Sequence, residues 1–160
     1  MRTVRVVDSW GRGFETKKAG DVGFDLVATV ERQGILDRVV SFLLRRRVHV
    51  LLPLVGRRNV SSGIFLSMQY GVWCQLHARS SIARKKLQLL GGVIDSGYRG
   101  ELFAVLHNFG FVPRLVEEGE RYAQVIFYAA IRPRVEYIQQ FDQQIDGSIR
   151  GDTGFGSTGA

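Results

Sequence analysis

The feature that most constrains this chain is a pattern of short apolar runs cut at close intervals by glycine. Residues 63–77 read Gly-Ile-Phe-Leu-Ser-Met-Gln-Tyr-Gly-Val-Trp-Cys-Gln-Leu-His, rich in β-branched and aromatic side chains and broken at Tyr70-Gly71. Branched and aromatic side chains pack well on a pleated surface and glycine turns the chain, so this run fits two short strands around a turn. Residues 101–109 and 121–131 have the same character, and near the start Val4 and Val6 alternate with arginines. No window carries a helical apolar stripe over three turns. Many short strands between glycine turns predict an all-β barrel or sandwich.

A chain of 160 residues has room for one core but not two. No apolar run approaches the roughly 18–20 residues that span a bilayer. The opening Met1-Arg2-Thr3-Val4-Arg5 lacks the apolar stretch of a secretory signal. An intracellular protein, nuclear or cytoplasmic and with no membrane partner, is therefore expected. The single Cys74 rules out an internal disulfide framework and a cysteine-based zinc site, and His49, His77 and His107 are isolated from one another. The net charge is +7, and arginine supplies 18 of the 22 basic residues. Its rigid fork matches phosphate oxygens, which points to a nucleic-acid binder, a protein handling a small phosphorylated ligand, or a basic surface with no specific task.

Residues 31–60 carry Arg45-Arg46-Arg47 and Arg57-Arg58 around an apolar stretch, Val48 to Val55, interrupted by Pro53. This reads as an exposed basic loop beside a strand. With little aromatic interleaving, nucleic acid is not expected as its partner. From Gly147 the chain is too glycine-rich to pack a core, which separates a domain over 1–146 from a tail over 147–160. That tail is either frayed or an arm that orders on a ligand: Arg150, Phe155, Gly156, Ser157 and Thr158 offer a guanidinium, a stacking ring and hydrogen-bond donors. Arg79, Ser80 and Ser81 form either a phosphate cradle or a capped basic turn. Residues 91–101, Gly-Gly-Val-Ile-Asp-Ser-Gly-Tyr-Arg-Gly-Glu, read as a hairpin whose backbone could hydrogen-bond a flat ligand. Asp95 within it serves either turn geometry or catalysis.

Five blocks in this order, Ala19–Leu26, Arg79–Lys85, Gly92–Glu101, Gly119–Gln124 and Arg150–Gly159, together resemble the dUTP pyrophosphatase (dUTPase) family. The resemblance implies a jelly-roll-like β-barrel, a homotrimer with shared active sites, and hydrolysis of dUTP to dUMP and pyrophosphate. It implies that Asp95 activates the water attacking the α-phosphorus. Gly92, Val93, Ile94 and Tyr98, with the backbone at Phe103, would hold deoxyuridine. Arg79, Ser80, Ser81 and Gln124 would meet the phosphates, and Arg150 the γ-phosphate, with Asp25 as that arginine's carboxylate partner. Phe155 would stack on uracil while Gly156, Ser157 and Thr158 donate to phosphate from the closing arm. Mg²⁺ would be carried by the substrate phosphates and water, with no direct protein ligand.

The sequence also departs from the family pattern. Gly97 stands where an acidic residue is common and implies a more mobile hairpin. The phosphate block reads Arg-Ser-Ser rather than Arg-Ser-Gly, and Gln69 replaces a usual proline. The stretch between Asp25 and Arg79 is long, which makes 31–60 an insertion. Two alternatives accompany the resemblance: a dCTP deaminase of the same superfamily, and a regulatory or interaction protein that uses the basic insertion.

Overall fold

The computed structural model describes residues 3–16, 18–29, 34–45 and 47–140. The elements are β1 (Val4–Asp8), β2 (Gly23–Val27), α1 (Ile35–Leu44), β3 (Val48–Leu52), β4 (Arg57–Met68), β5 (Val72–Ala78), α2 (Ser80–Arg84), β6 (Leu87–Leu90), β7 (Val93–Ile94), β8 (Glu101–Asn108), β9 (Arg114–Glu117) and β10 (Arg121–Ala129). Two four-stranded sheets, ordered β1-β4-β8-β6 and β2-β10-β5-β7, enclose the core, and β3 pairs with β9 in a third, smaller sheet. Every pairing is antiparallel. The all-β expectation therefore holds, in a jelly-roll-like arrangement.

Alternation explains why these strands close on one another. In β8, Leu102, Ala104, Leu106 and Asn108 face inward, while the residues between them are less buried. Along β5, Val72, Cys74 and Leu76 do the same. Tyr122 is fully buried, and its hydroxyl donates to the Val60 carbonyl at 2.9 Å, which satisfies the one polar atom that burial would otherwise strand. Burial also drives the Tyr122 phenol upward in pKa and pushes the Cys74 thiol up to about 12. Cys74 is thus a packing residue rather than a nucleophile.

Residues 31–60 differ most from the sequence reading. Residues 35–44 are a helix, although no helical stripe of three turns is visible in the sequence. The apolar stretch supplies the strand of that reading, with Val48, Val50, Leu52 and Val60 buried in β3 and β4, while Arg45, Arg47 and Arg57 are exposed. At ten residues the helix is shorter than the three-turn stripe sought in the sequence. Its body-facing contacts are polar: Asp37, 3% exposed, accepts the Leu51 N–H at 2.7 Å and the Gly34 N–H at 3.1 Å. Ser41 bonds both the N–H and the carbonyl of Val48. Its apolar side points away from the core.

Candidate active site

Two short strands, two glycines and a brace build the hairpin. At Gly92 the backbone has φ +112°, and a Cβ there would meet the Leu76 carbonyl oxygen at 2.9 Å. Only glycine fits, and that close approach lets the Leu76 N–H donate to the Gly92 carbonyl at 2.9 Å. β7 then pairs with β5 through Cys74–Ile94 and Gln75–Val93. Since β7 ends its sheet, its outer edge has no strand partner among the described residues, leaving backbone groups for a planar ligand. The Tyr98 N–H donates to the Asp95 carbonyl at 3.1 Å and closes the turn.

Gly92, Val93, Ile94, Asp95, Tyr98 and Phe103 line one cavity of about 280 Å³. The six hairpin residues singled out from sequence are therefore brought together, with Asp95 exposed at the mouth. The Tyr98 hydroxyl donates to the Glu101 carbonyl at 3.0 Å. Its ring lies directly over Gly100, where a Cβ would collide with the phenol end of the ring. Glu101 in turn accepts the N–H groups of Ser62 and Gly63 at 3.1 and 2.9 Å, tying the hairpin to β4. Gly100 and Glu101 lie within the recognised block, but their supporting roles depend on contacts that the sequence does not display. The Arg99 guanidinium donates to the carbonyls of Ser96 and Tyr98 at 2.7 and 2.9 Å, bracing the turn that contains Gly97. The backbone at Gly97 is not in the left-handed region, so nothing there demands glycine.

A second cavity, of about 490 Å³, is lined by Asp25, Arg79, Ser80 and Gln124 together with Asp21 and the turn at residues 20–23. Register places Gln124 of β10 opposite Asp25 of β2 and His77 of β5. The Gln124 side-chain amide packs against Gly23, in space that a Cβ there would make it give up. Ser80 and Ser81 open α2 behind Arg79, and the Arg79 carbonyl accepts the N–H groups of Ile82 and Ala83. Asp25, 7% exposed, is held between two cations: it pairs with Arg79, and its other oxygen lies 3.2 Å from Arg121 Nε. The sequence reading gave Asp25 to Arg150 and missed Arg121. Arg150, Phe155, Gly156, Ser157 and Thr158 lie outside the described residues.

Sequence reading also missed Lys85 and Glu120, which join two of the five blocks through contacts of 2.6 and 2.7 Å. Lys85 donates as well to the Leu115 carbonyl at 3.1 Å. Their spacing in sequence, 35 residues, gives no signal of the pairing.

The chemistry of the two cavities differs. The hairpin offers backbone edges, two aromatic rings and the exposed Asp95, with Glu101 engaged by the β4 backbone; the other cavity offers guanidinium, hydroxyl and amide donors beside the carboxylates of Asp21 and Asp25. No cluster of three or more potential metal ligands occurs among the described residues. The guanidinium, hydroxyl and amide donors present suit phosphate oxygens.

Comparison with known proteins identifies the family. The dUTPase family profile matches residues 39–159. The deoxyuridine 5'-triphosphate nucleotidohydrolase of Paramecium bursaria Chlorella virus 1 is 38% identical over 111 residues, covering 69% of this chain and 76% of its own length. Among solved structures, the Staphylococcus bacteriophage 80alpha dUTPase with dUpNHpp superposes with a TM-score of 0.76 at 20% identity, covering 99% of each chain. A mutant dUTPase from phage phi11 of S. aureus, described as coordinating a structural Mg(II) ion, gives 0.68 at 17% identity, covering 87% of this chain and 98% of its own. At these identities the two structures speak to the fold.

Proposed function

We infer the activity from one premise: this chain belongs to the dUTPase family. It hydrolyses dUTP to dUMP and pyrophosphate. The observation that carries this reading is that Asp95 shares a cavity wall with the Gly92–Ile94 backbone, Tyr98 and Phe103. Uracil lies against the open edge of β7, where backbone donors and acceptors match its edge. Cytosine would leave buried groups unpaired, at about 1–3 kcal/mol each. The Tyr98 ring, held by the Glu101 carbonyl, packs under the deoxyribose and leaves no room for a 2′-hydroxyl. Asp95 orients a water for in-line attack on the α-phosphorus and takes its proton, a contribution of typically 10²–10⁴-fold. Arg79, Ser80, Ser81 and Gln124 bind the phosphates, and Arg150 with the 155–158 segment completes the site from the arm. Mg²⁺, carried by the substrate phosphates and water, supplies charge neutralisation in that setting.

The working unit is a homotrimer. Support comes from the division of the site, because the Asp95 and Arg79 residues line separate cavities of one chain. In the shared-site arrangement that the family resemblance implies, a triphosphate would meet the Asp95 set of one subunit and the Arg79 set of another. Residues 131–138 give further support: Ile131, Val135 and Tyr137 are 90%, 69% and 96% exposed in the chain alone, as expected of a segment that packs on a neighbour. The deciding assay incubates the full chain with Mg²⁺ and dUTP, UTP, dCTP or dTTP in turn. Pyrophosphate and dUMP should form from dUTP alone; ammonia from dCTP would make the protein a deaminase, and no reaction would overturn the hydrolase reading.

A further inference from the structure

Helix α1 turns its apolar side away from the protein. Ile35, Phe42 and Leu43 are 83%, 83% and 70% exposed, and Leu36 and Val39 about half so. At 100° per residue these five occupy one continuous arc opposite Asp37 and Ser41, the side chains that bind β3. Two further apolar tips lie at the same end of the barrel. Val55, in the β3–β4 turn, is 64% exposed and held at φ +48°, a conformation that a β-branched residue rarely adopts. Phe111, in the β8–β9 loop, is 87% exposed. The Asn108 amide ties the two tips together by donating to the carbonyls of Pro53 and Val112, and Leu51 ties them to the first turn of α1.

The charges around these tips have one sign. Every exposed side chain on 35–45 is apolar or arginine, and the helix's only carboxylate, Asp37, is buried and bonded to backbone. Arg38, Arg45 and Arg57 are exposed and make no ion pair among the described residues. Beside the first turn of α1 a cavity of about 700 Å³ is lined by Arg57, Arg58 and Asn59, with the backbone-bonded Asp37 as its one carboxylate, so cationic donors outnumber it there.

We propose that this end of the barrel docks on an anionic phospholipid surface, with the outer face of α1 in the headgroup–acyl boundary and the arginines on lipid phosphates. Charge decides against a second copy of the same face, which would bring Arg38 and Arg45 onto their counterparts with no carboxylate between them. The spread of apolar tips over three separate chain segments favours a plane over a groove fitted to one helix. The absence of a spanning run in the sequence bears on insertion across a bilayer, not on contact at its surface.

The test is co-sedimentation of the full chain with vesicles of phosphatidylcholine alone or mixed in equal parts with phosphatidylglycerol. The protein should pellet with the mixed vesicles and stay in solution with phosphatidylcholine. Phe42→Ser should weaken the partition about tenfold by removing buried apolar surface. The double variant Arg38→Gln with Arg57→Gln should weaken it about 25-fold, at about 1 kcal/mol per basic residue. Pyrophosphate release should be unchanged in both, since neither variant touches the two cavities of the site. No vesicle binding, equal binding to both compositions, or full binding by the variants would overturn the proposal. So would an altered sedimentation coefficient in Phe42→Ser, which would show that another copy covers this face. Retention of a protein partner through Phe42, without vesicle binding, would overturn it too.

Discussion

On the proposed reading, the hairpin cavity and the arginine cavity would recognise different parts of one ligand by different means. Around Asp95 the work is done by backbone: Gly92 permits an approach that no side chain would, β7 offers its edge, and Tyr98 is fixed by a carbonyl. Around Asp25 it is done by charge, with one carboxylate held between Arg79 and Arg121. A backbone site is preorganised by shape and barely responds to salt. A charge site is adjustable, because each cation can exchange one anion for another. The difference suits a nucleotide: the base needs discrimination, and the phosphates need neutralisation.

Substitutions can break this contrast. The largest effect belongs to Asp95→Asn, which should lower kcat by 10²–10⁴-fold or more while nucleotide binding, read by equilibrium dialysis, persists. Near-normal turnover would reassign the general base and leave the hairpin as a binding element alone. Gly100→Ala comes next. Its Cβ displaces the Tyr98 ring, so kcat/KM for dUTP should fall by about 10–100-fold and discrimination against UTP should relax. Unchanged dUTP/UTP selectivity would show that Tyr98 does not set the sugar preference.

Asp25→Asn tests the charged half. It leaves Arg79 and Arg121 facing each other without an anion, and both guanidinium side chains are about a third to a half exposed. Solvent screening then limits the loss of stability to about 1–2 kcal/mol, seen as a lower denaturation midpoint. Triphosphate affinity should become more salt-dependent than in the parent, a shift that the hairpin variants should not produce. The smallest effect is expected from Cys74. Its thiol is pushed up to about 12 in the fold, above the ordinary value of 9.0, so the folded state holds its proton where the unfolded chain releases it. That contribution is complete below about pH 9 and is lost as pH rises toward 12. At neutral pH the native thiol should resist alkylation until the chain is unfolded.

Legibility in the sequence follows the same division. Glycines mark backbone geometry, so the hairpin, its aspartate and its tyrosine could be read as a unit before any coordinates. Short runs of branched and aromatic residues between glycine turns, with Val4 and Val6 alternating with arginines, made the β class readable too. Pairings across distance were not readable. Arg121 on Asp25, Glu101 on the β4 backbone and Lys85 on Glu120 are separated by 96, 38–39 and 35 residues, and each depends on register rather than on local pattern. Helix α1 failed for another reason. It spans only ten residues, less than the three turns a sequence stripe was required to hold, and only the fold shows that Asp37 and Ser41 take the inner side while Ile35 and Phe42 look outward.

The separation of Asp95 from Arg79 into two cavities of one chain has a consequence for dilution. On the proposed shared-site reading, a single subunit would carry these groups but not in one place, and catalysis would depend on concentration as well as on sequence. Near the assembly threshold specific activity would climb with the amount of protein. Two defective chains, one lacking the carboxylate and one lacking the guanidinium, would recover turnover on mixing, because some sites in the mixed assembly take both intact halves from different donors.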